Sequence, residues 1–421
     1  MKPASASRVL WLSTAAFTLL FAVWLMLGVL AVPIKAEFAL TKPQFAWLAA
    51  IAVLSGSLLR LPLGMLTDRV GGRKMMTAIL LLTSLPCFLL SRAHSYGALM
   101  LYALLFGVAG NAFSIGIAWN AAWFSREKQG FALGTFGAGN VGASVTKLIG
   151  PTLIAIVPAA GIGFVPGGWR FVPVMYTVAL WIMAALVWFT SPKQDQTPGA
   201  GRSLSAMVQP LKQTRVWRFG LYYVVVFGAY VALSLWLPNY YTTVYSLKLS
   251  HAALLTALFI FPASLLRPLG GWLSDRFGAR PVTYGVFIAM ALVCLPMSLP
   301  RSIVNVGPAA FALLTIALGV GMGIGKASVY KYIPEYFPRD VGAVGGLVGT
   351  LGALGGFVLP LAFGYLDQLT HAPQSCFVVM LALVLVSFAW LHIVVRGLRS
   401  PEAALVLPGD RLPQHLNAVG R

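Results

Sequence analysis

The sequence contains few charged residues, and acidic residues are especially scarce. Of its 421 residues only 10% are charged, and only ten are Asp or Glu. A soluble domain carries about 25% charged residues, so this composition excludes an ordinary soluble protein. The 59% hydrophobic content and the mean hydropathy of +0.83 indicate a membrane protein instead.

Cysteine and histidine are also rare, and their positions follow no metal-ligand or disulfide spacing. The cysteines lie in apolar windows and are interpreted as small buried hydrophobic residues, whereas four of the five histidines lie near predicted outer loops or at a span end. These residues are Cys87, Cys294, Cys376, His94, His251, His371 and His392. No Walker sequence and no Ser/His/Asp or cofactor constellation is present. We therefore expect no metal, no cofactor and no enzymatic activity.

Long apolar runs fill most of the chain, and twelve of them approach the roughly 20 residues that cross a bilayer. Because lipid leaves no partner for free backbone groups, runs this long predict helices. The first is too long for a signal peptide and lacks a small-residue cleavage site, so we interpret it as a span. The predicted windows are 9–31, 44–67, 74–92, 97–122, 130–154, 171–190, 217–238, 252–273, 282–299, 306–332, 342–366 and 375–395.

Positive charge is distributed unevenly around these windows. Of the 30 Lys and Arg residues, 20 lie at the termini or in loops after even-numbered spans, and six lie in loops after odd-numbered spans. The remaining four lie inside spans: Arg60, Lys147, Arg267 and Lys326. This asymmetry predicts that both termini are cytoplasmic. The net charge of +20 is therefore explained by membrane topology and does not indicate a nucleic-acid-binding protein. The same basic residues can also attract anionic lipid headgroups.

Two stretches of the chain are nearly identical. Residues 60–73 read RLPLGMLTDRVGGR and residues 267–280 read RPLGGWLSDRFGAR, with seven identical positions. Each carries an arginine inside an apolar span, eight residues before an Asp-Arg pair at the end of that span. The duplication predicts two similar halves, and a fixed charge at membrane depth marks a functional site.

The longest polar segment divides the chain between the sixth and seventh windows. Residues 191–215 contain three prolines and four basic residues and predict a cytoplasmic linker. We therefore predict an N-terminal six-helix bundle (1–190), the linker (191–215), a C-terminal six-helix bundle (216–398) and a mobile cytoplasmic tail (399–421). Two halves repeated in the same membrane direction are typical of secondary transporters.

Glycine is concentrated in spans five and eleven. The strings GTFGAGNVGAS (134–144) and GGLVGTLGALGG (345–356) follow the loops SREKQG and PRDVG. Small residues at four-residue spacing let helices approach closely. Two roles are open to these glycines: packing helices alone, or also exposing backbone to a substrate along the central pathway between the halves. The glycines that we expect to pack helices are Gly134, Gly137, Gly139, Gly142, Gly345, Gly349 and Gly352.

These motifs resemble the nitrate/nitrite porter family of the major facilitator superfamily. The paired D-R-x-G-x-R loops resemble the superfamily over the whole chain. The strings GNAFSIGIAWNAAWFSREKQG (110–130) and GMGIGKASVYKYIPEYFPRDVGAVGGLVGTLGALGG (321–356) resemble the porter family more specifically. The resemblance implies an all-α membrane protein with twelve transmembrane helices in two six-helix bundles related by pseudo-twofold symmetry. It also implies transport of nitrate or nitrite by alternating access.

The resemblance assigns roles to individual residues. Arg60 and Arg267 match the two arginines that bind the anion, and Phe113 matches an aromatic residue beside it. Tyr223 and Phe227, aligned only through the string YVVVFG, match a hydroxyl donor and an apolar wall. Asn140 lies at the polar position of the glycine-rich signature.

The two arginines suit an anionic substrate on chemical grounds as well. A guanidinium group is planar, always charged and able to bind two oxygens at once. None of the ten acidic residues lies in the middle of a predicted span, so no core carboxylate is available to neutralise Arg60 and Arg267. The alternative is that they bond to helix carbonyls or extend to the membrane interface.

The Asp-Arg pairs at the ends of spans two and eight have a different expected role. They resemble the superfamily's latch between helices, which is made and broken as the two halves move. The latch residues are Asp68, Arg69, Arg73, Asp275, Arg276 and Arg280. Alternatively, these are solvated loop charges that only determine topology.

Lys326 in span ten is a candidate for proton coupling. Repulsion from Arg267 favours its neutral form and anion binding favours its charged form, so proton and anion would bind together. The string GIGKA also resembles the proton-coupled branch of the family. The alternative is a lysine that extends to the interface. No role is assigned to Lys147.

The preferred interpretation is therefore proton-coupled uptake of nitrate. We expect the protein to be embedded in the lipid bilayer and to function as a monomer. The expected location is the inner membrane of a bacterium. The alternatives are a nitrate/nitrite antiporter, a porter for another small anion or an amphipathic drug, an anion sensor and a membrane enzyme. The small site with two positive charges argues against a large neutral cargo, and the chain has no room for a signalling domain.

Overall fold

The computed structural model describes residues 3–399, apart from 28, 29, 31, 32, 35, 36, 41, 159, 160, 162, 164 and 301. The tail beyond Arg399, which the sequence predicts to be mobile, lies outside the described residues. So does the side chain of Lys147.

The regular secondary structure of the described residues is helical. Its α-helices are α1 (Pro3–Trp24), α2 (Lys42–Leu58), α3 (Arg60–Val70), α4 (Gly72–Leu90), α5 (Tyr96–Phe106), α6 (Ala112–Trp123), α7 (Arg126–Gly137), α8 (Gly142–Ile156), α9 (Phe171–Thr190), α10 (Leu204–Val208), α11 (Thr214–Tyr223), α12 (Ala229–Val244), α13 (Leu249–Leu265), α14 (Arg267–Phe277), α15 (Ala279–Ser298), α16 (Pro308–Tyr336), α17 (Val341–Thr370) and α18 (Ser375–Arg399). These helices form the twelve spans that the sequence predicts, because spans two, four, five, seven and eight each consist of two consecutive helices.

Eleven helical segments in the described residues are long and apolar enough to cross a membrane. The predicted fifth span, which α7 and α8 form, is not among them. Its glycines, together with Asn140 and Lys147, make it less apolar than the others. This span still packs in the bundle, since α7 lies against α14.

The two halves contact each other through equivalent spans. Span two (α2 and α3) packs against span eleven (α17), and span five (α7 and α8) packs against span eight (α13 and α14). We call the end of the bundle that carries residues 191–213 the linker end and the opposite end the far end. We call the six spans before the linker the N-half and the six after it the C-half.

The duplicated loops have the same backbone conformation in both halves. Gly71, between α3 and α4, has φ 97° and ψ 147°, and Gly278, between α14 and α15, has φ 89° and ψ 148°. Residues with a side chain rarely adopt this left-handed region. The glycine of each D-R-x-G motif is therefore required by the turn that joins two neighbouring spans.

Three basic residues that the sequence analysis counts in loops are buried inside helices. Lys331, counted in a loop from the sequence, lies inside α16 with only 4% of its surface exposed. Arg215 and Arg218 lie inside α11 and are also buried. The helices therefore continue past the apolar windows, because long basic side chains near helix ends can be covered by neighbouring spans.

Candidate functional site

Spans two and eight are both interrupted one residue before their arginine. Leu59 (φ −86°, ψ 2°) and Leu266 (φ −84°, ψ 3°) leave helical geometry, and a new helix begins at Arg60 and at Arg267. Pro62 and Pro268 lack the backbone N–H that would continue the ladder of hydrogen bonds. The interruption places each arginine at the start of a helix, inside the bundle.

Arg60 is fully buried and partly satisfied by backbone carbonyls. Its Nε donates to the carbonyl of Gly56 and its Nη1 to the carbonyl of Gly349, both at 3.0 Å. Its Nη2 has no hydrogen-bond partner among the described residues. Two of the three guanidinium nitrogens of Arg60 therefore bond to helix carbonyls, as one alternative from the sequence proposed. The side chain does not extend to the membrane interface, which was the other alternative.

Arg267 is also fully buried and has fewer partners. Its Nη2 donates to the hydroxyl of Tyr223 at 3.5 Å, while Nε and Nη1 have no described partner. The guanidinium group lies against the backbone of Gly137, where a Cβ would overlap it. Glycine at position 137 thus makes room for a charge from the opposite half.

One phenyl ring contacts both guanidinium groups. The ring centroid of Phe113 lies 5.5 Å from Cζ of Arg60 and 5.3 Å from Cζ of Arg267. Phe113 is stacked on Tyr223 and on Phe227 at centroid distances of 6.1 and 6.2 Å. The structure therefore brings these five predicted site residues together, with aromatic faces that interact favourably with cations.

Two irregular turns carry or adjoin other predicted site residues. Asn140 lies in a 3₁₀ turn (Ala138–Val141) and is fully buried, with neither amide atom paired to a described residue. Tyr223 precedes a π-helical turn (Val224–Gly228) that contains Phe227. Such turns in membrane helices are typical of functional sites, and an unpaired buried amide requires an explanation.

The site carries uncompensated positive charge. Within the described part of the chain, neither Arg60 nor Arg267 forms an ion pair with a carboxylate. A buried charge is costly unless it is paired. The unpaired N–H groups of the two arginines can therefore stabilise a small anion by hydrogen bonds.

The glycines predicted to pack helices lie at close contacts. A Cβ at Gly134 would overlap the backbone of Arg267, and Cβ atoms at Gly139 and Gly142 would meet span one. In span eleven, Gly349 lies against Arg60 and Tyr330, Gly352 lies against Tyr223, and Gly345 makes only ordinary contacts. Most of these glycines therefore contact the groups that form the site.

The two latch aspartates make equivalent contacts between the halves at the linker end. Asp68 accepts a hydrogen bond from the backbone N–H of Gly342 (2.9 Å), at the start of α17. Asp275 accepts from Gly130 (3.0 Å) and Phe131 (2.7 Å), in the first turns of α7. A carboxylate at a helix N-terminus is favoured by the helix dipole.

The latch arginines do not cross between the halves. Arg73 donates to the carbonyl of Trp188 and Arg280 to the hydroxyl of Tyr336, each in its own half. Arg69 and Arg276 are exposed. Among the latch residues, the described hydrogen bonds between the halves therefore come from the aspartates.

Lys331, which the sequence analysis missed, is an ion-pair partner of the latch residue Asp275. Its Nζ lies 2.6 Å from the carboxylate of Asp275, and it also donates to the carbonyl of Arg126. It connects span ten to span five of the other half. No local pattern indicates this pairing apart from the proximity of Lys331 to a span end.

Lys326 is buried and does not extend to the interface. Its Nζ donates to the carbonyl of Ala263 at 3.0 Å and lies 3.1 Å from the ring centroid of Tyr230. It lies 5.7 Å from the ring centroid of Phe227. The ring centroid of Phe227 also lies 5.6 Å from Cζ of Arg60, so this aromatic residue contacts both Lys326 and a site arginine.

Tyr330 is a site residue that the sequence analysis missed. Its ring lies edge-on to Phe113 (5.0 Å) and to Tyr223 (4.6 Å), and its hydroxyl donates to the carbonyl of Gly345 at 2.9 Å. The available signal was its position four residues after Lys326, on the same face of one helix.

We expect the substitution Tyr330→Phe to destabilise the protein slightly. It removes the hydrogen bond to Gly345 and keeps the ring contacts, so the loss is about 1 kcal/mol. Thermal unfolding in detergent measures it, with Tyr365→Phe, an exposed tyrosine, as the control. An unchanged unfolding temperature would show that the hydroxyl contributes nothing to the packing of spans ten and eleven.

The chain is similar to known membrane transporters. The family model described as Major Facilitator Superfamily matches residues 12–255 and 245–419. The probable nitrate/nitrite antiporter NarK1 of Thermus thermophilus is 56% identical, covering 96% of each chain. The nitrite extrusion protein of Bacillus subtilis (strain 168) is 32% identical, covering 88% of this chain and 91% of the relative.

Solved structures show the same fold at lower identity. FucP, a major facilitator superfamily transporter in the outward conformation, has a TM-score of 0.70 at 17% identity and covers 90% of this chain and 98% of its own. The human organic anion transporter MFSD10 has a TM-score of 0.73 at 15% identity and covers 93% and 100%. The predicted twelve-helix fold is thereby confirmed, and the chain belongs to the nitrate/nitrite porter family of the major facilitator superfamily.

Proposed function

We propose that the protein transports nitrate and nitrite across the membrane by alternating access, with Arg60 and Arg267 binding the anion between the two halves. The observation that carries this proposal is the pair of buried guanidinium groups, one from each half. Both have N–H groups without a described partner. The names of the relatives, which include a nitrate/nitrite antiporter and a nitrite extrusion protein, support the choice of anion.

The shape and chemistry of the site suit a small planar anion. Nitrate and nitrite spread one negative charge over coplanar oxygens, and guanidinium groups offer donors in a plane. The aromatic faces of Phe113, Tyr223 and Phe227 limit the space around the charges. The enclosed site therefore favours these anions over a large neutral cargo.

The anion also controls whether the halves approach each other. Two unit charges 4 Å apart interact by about 4 kcal/mol at an effective dielectric constant near 20. Closing the halves on two bare arginines is opposed by this repulsion, whereas an anion between them removes it. In this mechanism the aspartate contacts at the linker end form and break as access alternates.

The charge distribution supports an orientation with the linker end in the cytoplasm. Because the relatives come from bacteria, we place the protein in the bacterial inner membrane. Each half contributes one arginine to the site, so a single chain is sufficient for transport.

For energy coupling we propose proton symport through Lys326. The amine is buried beside a site aromatic residue and has no described carboxylate partner. Gain of a positive charge there is favoured when an anion occupies the site, which links proton binding to anion binding.

We expect Lys326→Met to abolish the response of nitrate uptake to a proton gradient. The variant keeps a long apolar side chain against Tyr230 and loses the group that binds a proton. Uptake into proteoliposomes with and without an inward proton gradient measures the effect. Lys248→Met, which removes an exposed charge, is the control. A gradient response equal to that of the wild type would contradict this role.

Nitrate/nitrite exchange is the second candidate mechanism, and the name of the Thermus relative favours it. Exchange requires an anion on both sides of the membrane, whereas symport requires a proton gradient. Vesicles loaded with nitrite, with no proton gradient, separate the two. Nitrate entry that depends on internal nitrite supports exchange, and entry driven by the gradient alone supports symport.

Nitrate flux into proteoliposomes of purified protein tests the transport function itself. We expect saturable uptake that external nitrite inhibits and sulfate does not, because sulfate is tetrahedral and divalent. Absence of nitrate and nitrite flux in both loading conditions would overturn the proposed function.

A further inference from the structure

The linker contacts both halves at the end where they meet. Asp195, early in the linker, accepts hydrogen bonds from the indole N–H groups of Trp119 (3.0 Å) and Trp123 (2.8 Å). It also accepts one from the backbone N–H of Arg73 (2.8 Å). Hydrogen bonds to a charged acceptor are among the stronger ones. This end of the linker is therefore fixed to the N-half.

The next linker residues reach the latch of spans two and eleven. The backbone N–H of Gly199 donates to the carbonyl of Asp68 at 2.9 Å. Arg202 then forms an ion pair with Asp340 at 2.6 Å and donates to the carbonyl of Arg339 at 2.8 Å. Asp340 directly precedes α17, so the linker connects the two helices that the Asp68 contact joins.

A buried methionine completes this connection. Met207, in the short helix α10, is fully buried and packs with Met65 of span two and Ala343 of span eleven. The linker thus places an apolar side chain between the halves. Separation of spans two and eleven must expose this cluster to water, which costs free energy in proportion to the apolar area.

We propose that residues 195–208, which we call the strap, hold the linker end of the transporter closed. The strap reinforces the Asp68 latch through the Arg202–Asp340 ion pair and the Met207 contact. Opening the linker end requires the loss of both. The strap therefore shifts the balance between the two access states, in addition to any effect of the transported anion.

A difference between the two latches supports this role. Asp275 is paired directly with Lys331 at 2.6 Å, whereas Asp68 has no ion-pair partner among the described residues. Near the Asp68 latch, the basic residue is Arg202 of the strap, which forms an ion pair with Asp340. Each latch is thus supported by one basic residue, but only one of them belongs to the linker.

The test measures opening of the linker end by chemical labelling and needs no transport. A single cysteine replaces Ala343, which is buried in the closed interface, after the native Cys87, Cys294 and Cys376 are changed to alanine. The rate at which a maleimide reagent labels Cys at 343 in detergent reports how often spans two and eleven separate. Failure of the proposed nitrate transport would leave this readout intact.

We expect Arg202→Ala to raise the labelling rate about fivefold, the size expected of one partly buried ion pair. The control is Arg339→Ala, which removes an exposed positive charge beside Asp340 without breaking the pair. The double variant Arg202→Asp/Asp340→Arg is expected to return the rate towards that of the parent.

Met207→Ala gives an independent measurement, because it removes the buried contact and keeps the ion pair. We expect faster labelling in this variant as well. If neither Arg202→Ala nor Met207→Ala labels faster than Arg339→Ala, the strap does not hold the linker end closed. Equal rates in the single and the charge-reversed variants would also contradict the role of the ion pair.

Discussion

Replacing either site arginine by lysine is expected to lower nitrate uptake by at least about 100-fold. Lysine keeps the charge but loses the planar set of donors, so Arg60→Lys and Arg267→Lys each remove about two hydrogen bonds to the anion. A hydrogen bond to a charged group contributes about 1.5–3 kcal/mol, and each 1.4 kcal/mol is a factor of ten. Initial uptake rates in proteoliposomes measure the loss.

Arg92→Lys is the control for this prediction, because it makes the same change at an exposed arginine. Its uptake is expected to match that of the wild type. The variants should also unfold at temperatures close to the wild type, since lysine can still donate to the carbonyl partners of Arg60. Near-normal uptake by both site variants would show that two forked donors are not needed for binding.

The second large effect is expected from Gly271→Ala, at the contact between spans five and eight. A Cβ at position 271 would overlap the backbone carbonyl of Gly130 in the other half. Backbone cannot move aside as a flexible side chain can, and overpacking of this kind costs about 1–3 kcal/mol. The linker end would then close less often, and uptake should fall by about tenfold or more.

Hydrogen exchange distinguishes this explanation from general misfolding. The N–H groups of Gly130 and Phe131, which donate to Asp275, should exchange faster in Gly271→Ala than in the wild type. Gly285→Ala adds a methyl group where no atom lies within 4 Å and serves as the control. Unchanged exchange over α7 would mean that the two spans can separate slightly without loss of the latch.

Much of the architecture was predictable because membrane helices leave strong local signals. Apolar length predicted the spans, and the repeated arginines, with the Asp-Arg-x-Gly motif, predicted two similar halves. The same signals identified Arg60 and Arg267 as candidate site residues, since a charge inside an apolar run is conspicuous in a single sequence. The structure places both arginines at one phenyl ring, that of Phe113.

Other features depend on contacts between distant residues and leave no such signal. Tyr330 looks like an ordinary aromatic residue until Phe113 and Tyr223 are placed beside it. The linker was predicted from its polar composition, which says nothing about whether Asp195 or Met207 is held by the bundle. The helix breaks before the arginines were also missed, although Pro62 and Pro268 mark them.

The central claim is that one anion binds between Arg60 and Arg267. An experimental structure of the protein with nitrate tests it most directly. We predict density for a planar anion within hydrogen-bond distance of both guanidinium groups, next to Phe113. Nitrate bound elsewhere, or an unoccupied site in which each arginine is paired with a carboxylate, would contradict the claim.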